Sequence, residues 1–200
     1  MINVTQYEKI NTLLDEQKGI LQTSDVLAAG ISKTVFLEYV QKNKLQRAAH
    51  GVYVKDDIWA DPMYLLQVQY KQGIFSHDTA LYLHGMTDRE PLRYSVTVKS
   101  GYNSENIKAA GAKTYYIKKE LYDVGITTLE TPFGYMVRAY DKERTICDIM
   151  RNRNTIDIQL IQDALRQYTA SRDKNLHTLS QYAKLFHVEK VLKPYLEVLL

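Results

Sequence analysis

Between Gly30 and Gly51 the chain leaves room for one helix and one tight ribbon, and no other stretch limits the possible folds so much. Ser32 stands where a helix cap should. Val35, Phe36, Tyr39 and Val40 recur on one face, while Lys33, Thr34, Glu38, Gln41 and Lys42 fall mostly on the other. KLQRAAHGVYV then reads as two short strands around a turn at His50 and Gly51. Upstream, Val4, Tyr7, Ile10, Leu13 and Leu14 mark a first helix that Gly19 stops. Thr23 is expected to cap a second, short helix over SDVLAA, which Gly30 ends.

Helix, short helix, glycine turn, helix and ribbon is the order of a winged helix-turn-helix, in which the third helix offers its N-terminal side chains to the major groove and the ribbon lies on the backbone. On that reading Lys33 and Thr34 approach base edges, Gln41 follows farther along the same helix, and Lys42, Lys44 and Arg47 meet phosphates. A small helical core packed under the rest of the protein is the competing account. Charge favours DNA. The net charge of the chain is only +3, but residues 31–55 hold five basic side chains (Lys33, Lys42, Lys44, Arg47, Lys55) against Glu38 alone.

A domain break is expected at KDDIWADP, giving a DNA-binding domain over residues 1–58 and a second domain over 59–200, with Asp61 and Pro62 opening a helix. YSVTV, TYYIK, GITTL and YMVRA read as strands, punctuated by Gly101, Gly111 and the Pro132–Gly134 turn. The last third is helical. The fold class is therefore α+β: an N-terminal winged helix-turn-helix followed by a larger mixed domain with a helical C-terminal part. No run is apolar enough for a membrane span or a secretory leader, and the single cysteine, Cys147, leaves a reducing cytoplasm as the expected address.

The second domain contains one run that resembles a catalytic site, FSHDTALYLHGMTD, where Ser76, His77 and Asp78 are adjacent. A nucleophile, a base and an orienting carboxylate must meet in space, and neighbours in sequence point apart, so helix capping by Ser76 or Asp78 is the better account. His77 and His84 lie about two helical turns apart, too far for two metal ligands on one helix. Arg144 and Asp148 are spaced to pair on a helix face, worth a few tenths of a kcal/mol if exposed. Lys118, Lys119, Arg138, Arg151 and Arg153 add positive charge to the second domain and read as a solvated face, with contact to a nucleic-acid backbone as the alternative. No catalytic, metal or cofactor site is expected.

Three segments, KLQRAAHGVYV, FSHDTALYLHGMTDREP and VRAYDKERTICDIM, together resemble the AbiEi antitoxins of bacterial abortive-infection systems. Ser76, His77, Thr79, Ala80, Leu81, Leu83, His84 and Gly85 match one family run, and Glu143, Arg144, Thr145 and Asp148 match the other. The resemblance implies an antitoxin that counters a nucleotidyltransferase-type toxin without a stable complex and represses its own operon at promoter inverted repeats. The alternative is an enzyme that modifies toxin, RNA or nucleotide through the second domain.

Overall fold

The computed structural model describes residues 2–59 and 61–199, with side chains from residue 5 onward. Cα packing divides the chain into two compact units, Met1–Gln69 and Tyr70–Leu200. The boundary falls later than residue 58 and leaves the helix opened by Asp61 with the first unit.

The first unit runs α1 (Ile2–Glu16), β1 (Ile20–Gln22), α2 (Thr23–Ala28), α3 (Lys33–Lys42), β2 (Gln46–Ala49), β3 (Val52–Val54) and α4 (Pro62–Gln69). Its core gathers Ile10 and Leu14 from α1, Leu21 from β1, Val26 from α2 and Phe36, Tyr39 and Val40 from α3, with Ile31 and Leu45 between elements. The side chain of Val4, expected on this stripe, lies outside the described residues. Burying each large apolar side chain contributes about 1.5–3 kcal/mol. Tyr39 packs edge-on to Tyr7 at 5.3 Å, and Phe36 edge-on to Tyr53 at 5.2 Å. The α3 stripe thus grips both α1 and the ribbon.

Two details differ from the sequence reading. A third strand, β1, joins the ribbon, giving an antiparallel sheet in the order β1-β3-β2, with Ile20 opposite Val54. Thr23 does not cap α2; Gln22 holds the cap position, while the Thr23 hydroxyl and amide both donate to the Gly51 carbonyl, at 3.2 and 2.8 Å. Thr23 therefore ties the ribbon turn to the start of α2. Asp61 does open α4, its Oδ1 accepting from the Met63 amide at 2.8 Å. Gly19 turns the chain at φ +84°, and a Cβ there would lie 2.0 Å from Ile58 Cδ1.

The second unit begins with β4 (Ile74–Phe75), α5 (His77–Leu83), β5 (Ser95–Lys99), α6 (Glu105–Ala109), β6 (Lys113–Ile117) and α7 (Lys119–Tyr122). It continues with β7 (Ile126–Glu130), β8 (Met136–Tyr140), α8 (Lys142–Arg151), α9 (Ile158–Ala170), α10 (Leu176–Leu185) and α11 (Glu189–Leu199). The sheet order is β6-β5-β4-β8-β7. β5 and β6 pair in parallel, as do β4 and β8, and the β7–β8 and β4–β5 pairs are antiparallel. Short β4 therefore holds the centre, with Phe75 opposite both Val96 and Ala139. α8 carries the core against the helical C-terminal part: Ile146, Cys147, Ile149 and Met150 are fully buried with Ile161, Leu165 and Tyr168 of α9 and Leu179 of α10. The mixed α+β class holds for the whole chain, and among the described residues no helix is long and apolar enough to cross a membrane.

Candidate nucleic-acid interface

α3 starts where Ser32 Oγ accepts from the Val35 amide at 3.3 Å. That cap fixes which side chains leave its first turn. Phe36, Tyr39 and Val40 are buried, and Lys33, Thr34, Leu37, Glu38, Gln41 and Lys42 are exposed, so one continuous face of the helix is open. Thr34 and Gln41, about two turns apart, lie along the middle of that face. Leu37 lies between Lys33 and Gln41 on the same face and is 39% exposed. Sequence periodicity passes over Leu37 because it belongs to no buried stripe. Its spacing of one turn from Lys33 and from Gln41 is the signal that places it there.

The remaining candidates lie beyond the helix. Lys42 reaches back toward α1, with its Nζ 5.4 Å from the Tyr7 ring centre. Lys44 is exposed and takes a left-handed backbone, φ +54°, which turns the chain from α3 into β2. Arg47 is exposed on β2 but not idle. Its Nε donates to the Ala49 carbonyl at 3.3 Å and its Nη2 lies 3.0 Å from His50 Nδ1, so it also braces the ribbon turn. The structure places all six expected residues on the surface of one unit, four on α3 and two just after it. His50 at the ribbon turn and Leu37 on the helix are additions.

The catalytic-looking run in the second unit resolves differently. Ser76 and His77 do touch, at 2.9 Å between Oγ and Nδ1, although they are neighbours. A left-handed backbone at His77, φ +52°, swings the ring back over Ser76. The hydrogen-bond pattern assigns the proton. Asn152 Nδ2 donates both to the Asp148 carbonyl and to His77 Nε2, at 3.0 Å each, so Nε2 is an acceptor and Nδ1–H donates to Ser76. Thr97 Oγ1 donates to the same Ser76 oxygen at 2.9 Å. A serine that accepts from the imidazole is not being deprotonated by it. His77 stacks on Tyr115 at 3.5 Å, and burial together with Lys113, Arg144 and Arg151 holds its pKa well below the ordinary histidine value.

Side-chain capping by Ser76 also fails. Ser76 occupies the cap position of α5, but its hydroxyl belongs to this buried cluster. Asp78 accepts from the Thr79 amide at 2.9 Å, and Thr79 Oγ1 accepts the Ser95 amide of β5 at 2.8 Å. Gly85 ends the helix at φ +66°, and His84 Nε2 donates to the Tyr140 carbonyl at 2.8 Å. The run is a clasp between α5, β5, β8 and α8.

The second motif is a clasp too. Arg144, fully buried, donates from Nε to Asp148 and from Nη1 to the carbonyls of Leu121 and Val124, at 2.8 and 2.9 Å. Its guanidinium lies over Tyr140 and Phe186, 4.1 and 4.0 Å from the ring centres. The pair is thus not on an exposed helix face. Glu143 Oε1 accepts from the Tyr168 hydroxyl at 2.8 Å and from the Asn175 amide at 2.9 Å, tying α8 to α9 and α10. Burial, with Asp148 next to it, pushes the Cys147 thiol up to about 12, which removes it as a nucleophile at neutral pH.

Residues 8–54, the part of the first unit that holds α2, α3 and the ribbon, match the family profile AbiEi_4, described as "Transcriptional regulator, AbiEi antitoxin". No curated protein matches the chain. A solved structure titled "Crystal structure of RV2827C protein from Mycobacterium tuberculosis" is similar at a TM-score of 0.54 and 13% identity, covering 94% of this chain and 71% of that one. That likeness concerns the fold.

Proposed function

We infer, from the AbiEi regulator segment at residues 8–54, that this protein is an AbiEi-type antitoxin that represses its own operon. The first unit is the winged helix-turn-helix. α3 enters the major groove of promoter inverted repeats with Lys33, Thr34, Leu37 and Gln41 toward base edges, and Lys42, Lys44 and Arg47 meet phosphates on either side. The observation that carries this reading is the open face of α3: a helix capped at its first turn, buried on one side, and bordered by cations and a ribbon on the other.

The second unit is assigned the neutralisation of a nucleotidyltransferase-type toxin without catalysis. Its two family runs are used up in packing, with Ser76 accepting from His77 and Arg144 locked among carbonyls and rings. The protein acts in the cytoplasm, on double-stranded DNA and on the activity of its cognate toxin. Binding of the native promoter measured against salt, for the parent and for Lys44→Ala/Arg47→Ala, is the test. Two phosphate contacts should reduce the log–log salt slope by roughly two units, and an unchanged affinity and slope would remove the ribbon from the interface.

A further inference from the structure

The second unit carries a basic surface that its packing does not use. Across residues 93–119 the sequence places Arg93, Lys99, Lys108, Lys113, Lys118 and Lys119 against one carboxylate, Glu105, whereas the whole chain has 26 Lys and Arg against 23 Asp and Glu. This stretch folds as β5, α6, β6 and the first residue of α7, and among the described residues β6 is an edge of the sheet, paired with β5 alone. Of these cations, Lys99 pairs with Asp123 at 3.7 Å. Arg93, Lys108, Lys113, Lys118 and Lys119 are exposed, and among the described residues no carboxylate pairs with them. Arg93 donates to backbone carbonyls, as Arg138 and Arg153 do to those of Lys71 and Met150, and Arg151 pairs with Asp148, so Lys108, Lys113, Lys118 and Lys119 are the cations of this stretch left for a ligand.

Tyrosines are interleaved with these charges. Tyr116 is 46% exposed, its hydroxyl bonded to Ser104 and its ring 5.7 Å from Lys108 Nζ. The bond fixes the ring, so an exposed aromatic face stands beside an ammonium group without needing to be ordered first. Lys113 Nζ lies 5.0 Å from the Tyr115 ring at the start of the strand, where Arg93 also holds the Gly111 and Ala112 carbonyls, and Lys118 and Lys119 follow its end. Alternation along β6 puts Lys113 and Tyr115 on one face and Tyr116 with Lys108 on the other, so the two sets meet along the exposed strand edge, and a positive edge beside an open aromatic ring suits a flexible phosphate backbone with unstacked bases. A duplex groove suits it poorly, because the helices that contribute to the surface, α6 and the start of α7, have five and four residues and are about 7.5 and 6 Å long.

We propose that the β6 edge binds single-stranded nucleic acid, with Tyr116 stacking on a base and Lys108, Lys113, Lys118 and Lys119 on phosphates. This surface belongs to the second unit and the proposed operator face to the first, so either assignment can fail alone. The test uses the full chain and fluorescein-labelled twelve-nucleotide strands of one mixed sequence, as RNA and as DNA, titrated against salt alongside the promoter duplex. Lys108→Ala/Lys113→Ala/Lys118→Ala should lower the single-strand salt slope by about two units at about 0.7 per contact. Tyr116→Ala should weaken single-strand binding roughly tenfold, with Tyr116→Phe, which keeps the stacking ring but loses the Ser104 bond that fixes it, weakening binding by less. Promoter binding should not move in any of them. Binding of either strand supports the surface, and the RNA-to-DNA ratio identifies which strand it meets. Failure of both strands to bind, binding unmoved by these substitutions, or equal weakening of the promoter duplex would each overturn the proposal.

Discussion

Arg144 Nε donates to Asp148 Oδ2 at 3.0 Å with neither side chain more than 2% exposed. Spacing alone gives such a pair a few tenths of a kcal/mol, whereas burial changes the consequence of breaking it. Arg144→Ala leaves a carboxylate in the core with Arg151 as its remaining cation, at 3.5 Å, and should cost about 3–5 kcal/mol in denaturant unfolding. Replacing both partners, Arg144→Met with Asp148→Leu, should recover a large part of that. A loss under about 1 kcal/mol for the single variant would mean that water reaches the site.

Stability should fall on mild acidification. His77 is kept neutral by burial and by neighbouring cations, so its folded pKa lies well below the ordinary value. Below about pH 6.5 the unfolded chain takes up a proton that the folded chain does not, so the stability present above that pH is lost as pH falls. Between pH 7 and 5 the loss from this one group is up to about 2 kcal/mol. His77→Asn, which tolerates the left-handed backbone, should flatten the curve by about that amount. Parallel curves for parent and variant would assign the dependence to other groups.

Gly125 stands at φ +76°, and a Cβ there would lie 2.8 Å from Arg144 Cβ and 2.9 Å from Asp141 Oδ2. Asp141 caps α8 by accepting from the Arg144 amide at 2.7 Å, so the added atom presses on both the cap and the buried arginine. Gly125→Ala should destabilise by roughly 2–4 kcal/mol. The alanines at 109 and 110, which end α6 in the open, provide the control: Ala110→Gly should move the midpoint far less.

Leu37 should contribute to sequence preference and not to electrostatics. Leu37→Ala is expected to reduce discrimination between the operator and a scrambled duplex while leaving the salt slope within about half a unit of the parent. A changed slope with unchanged discrimination would place the residue outside the groove.

The parts legible in the sequence are those with a period or a cap. The α3 stripe, Asp61 before α4 and the four longer strands all follow from spacing that a short window contains. What escaped depends on partners distant in the chain. β1 is three residues, too short to show alternation, and exists because β3 pairs with it. Thr23 has the chemistry of a cap, but its hydroxyl donates to the carbonyl of Gly51, twenty-eight residues away. Ser76 and His77 meet only because His77 adopts a backbone that histidine rarely takes, and Arg144 is buried only because Leu121 and Val124 bring carbonyls to it. On α3, by contrast, the exposed candidates needed nothing beyond the helix itself.

The order in which β4 finds its neighbours sets a timetable for synthesis. Phe75 pairs with Val96 on one side and Ala139 on the other, and Arg144 rests against Phe186. The second unit therefore cannot close its core until residue 186 has cleared the ribosome, whereas everything that packs around α3 is made within the first 69 residues. On a growing chain the first unit is complete long before the other can exist, and a nascent or truncated product would carry the first without the second.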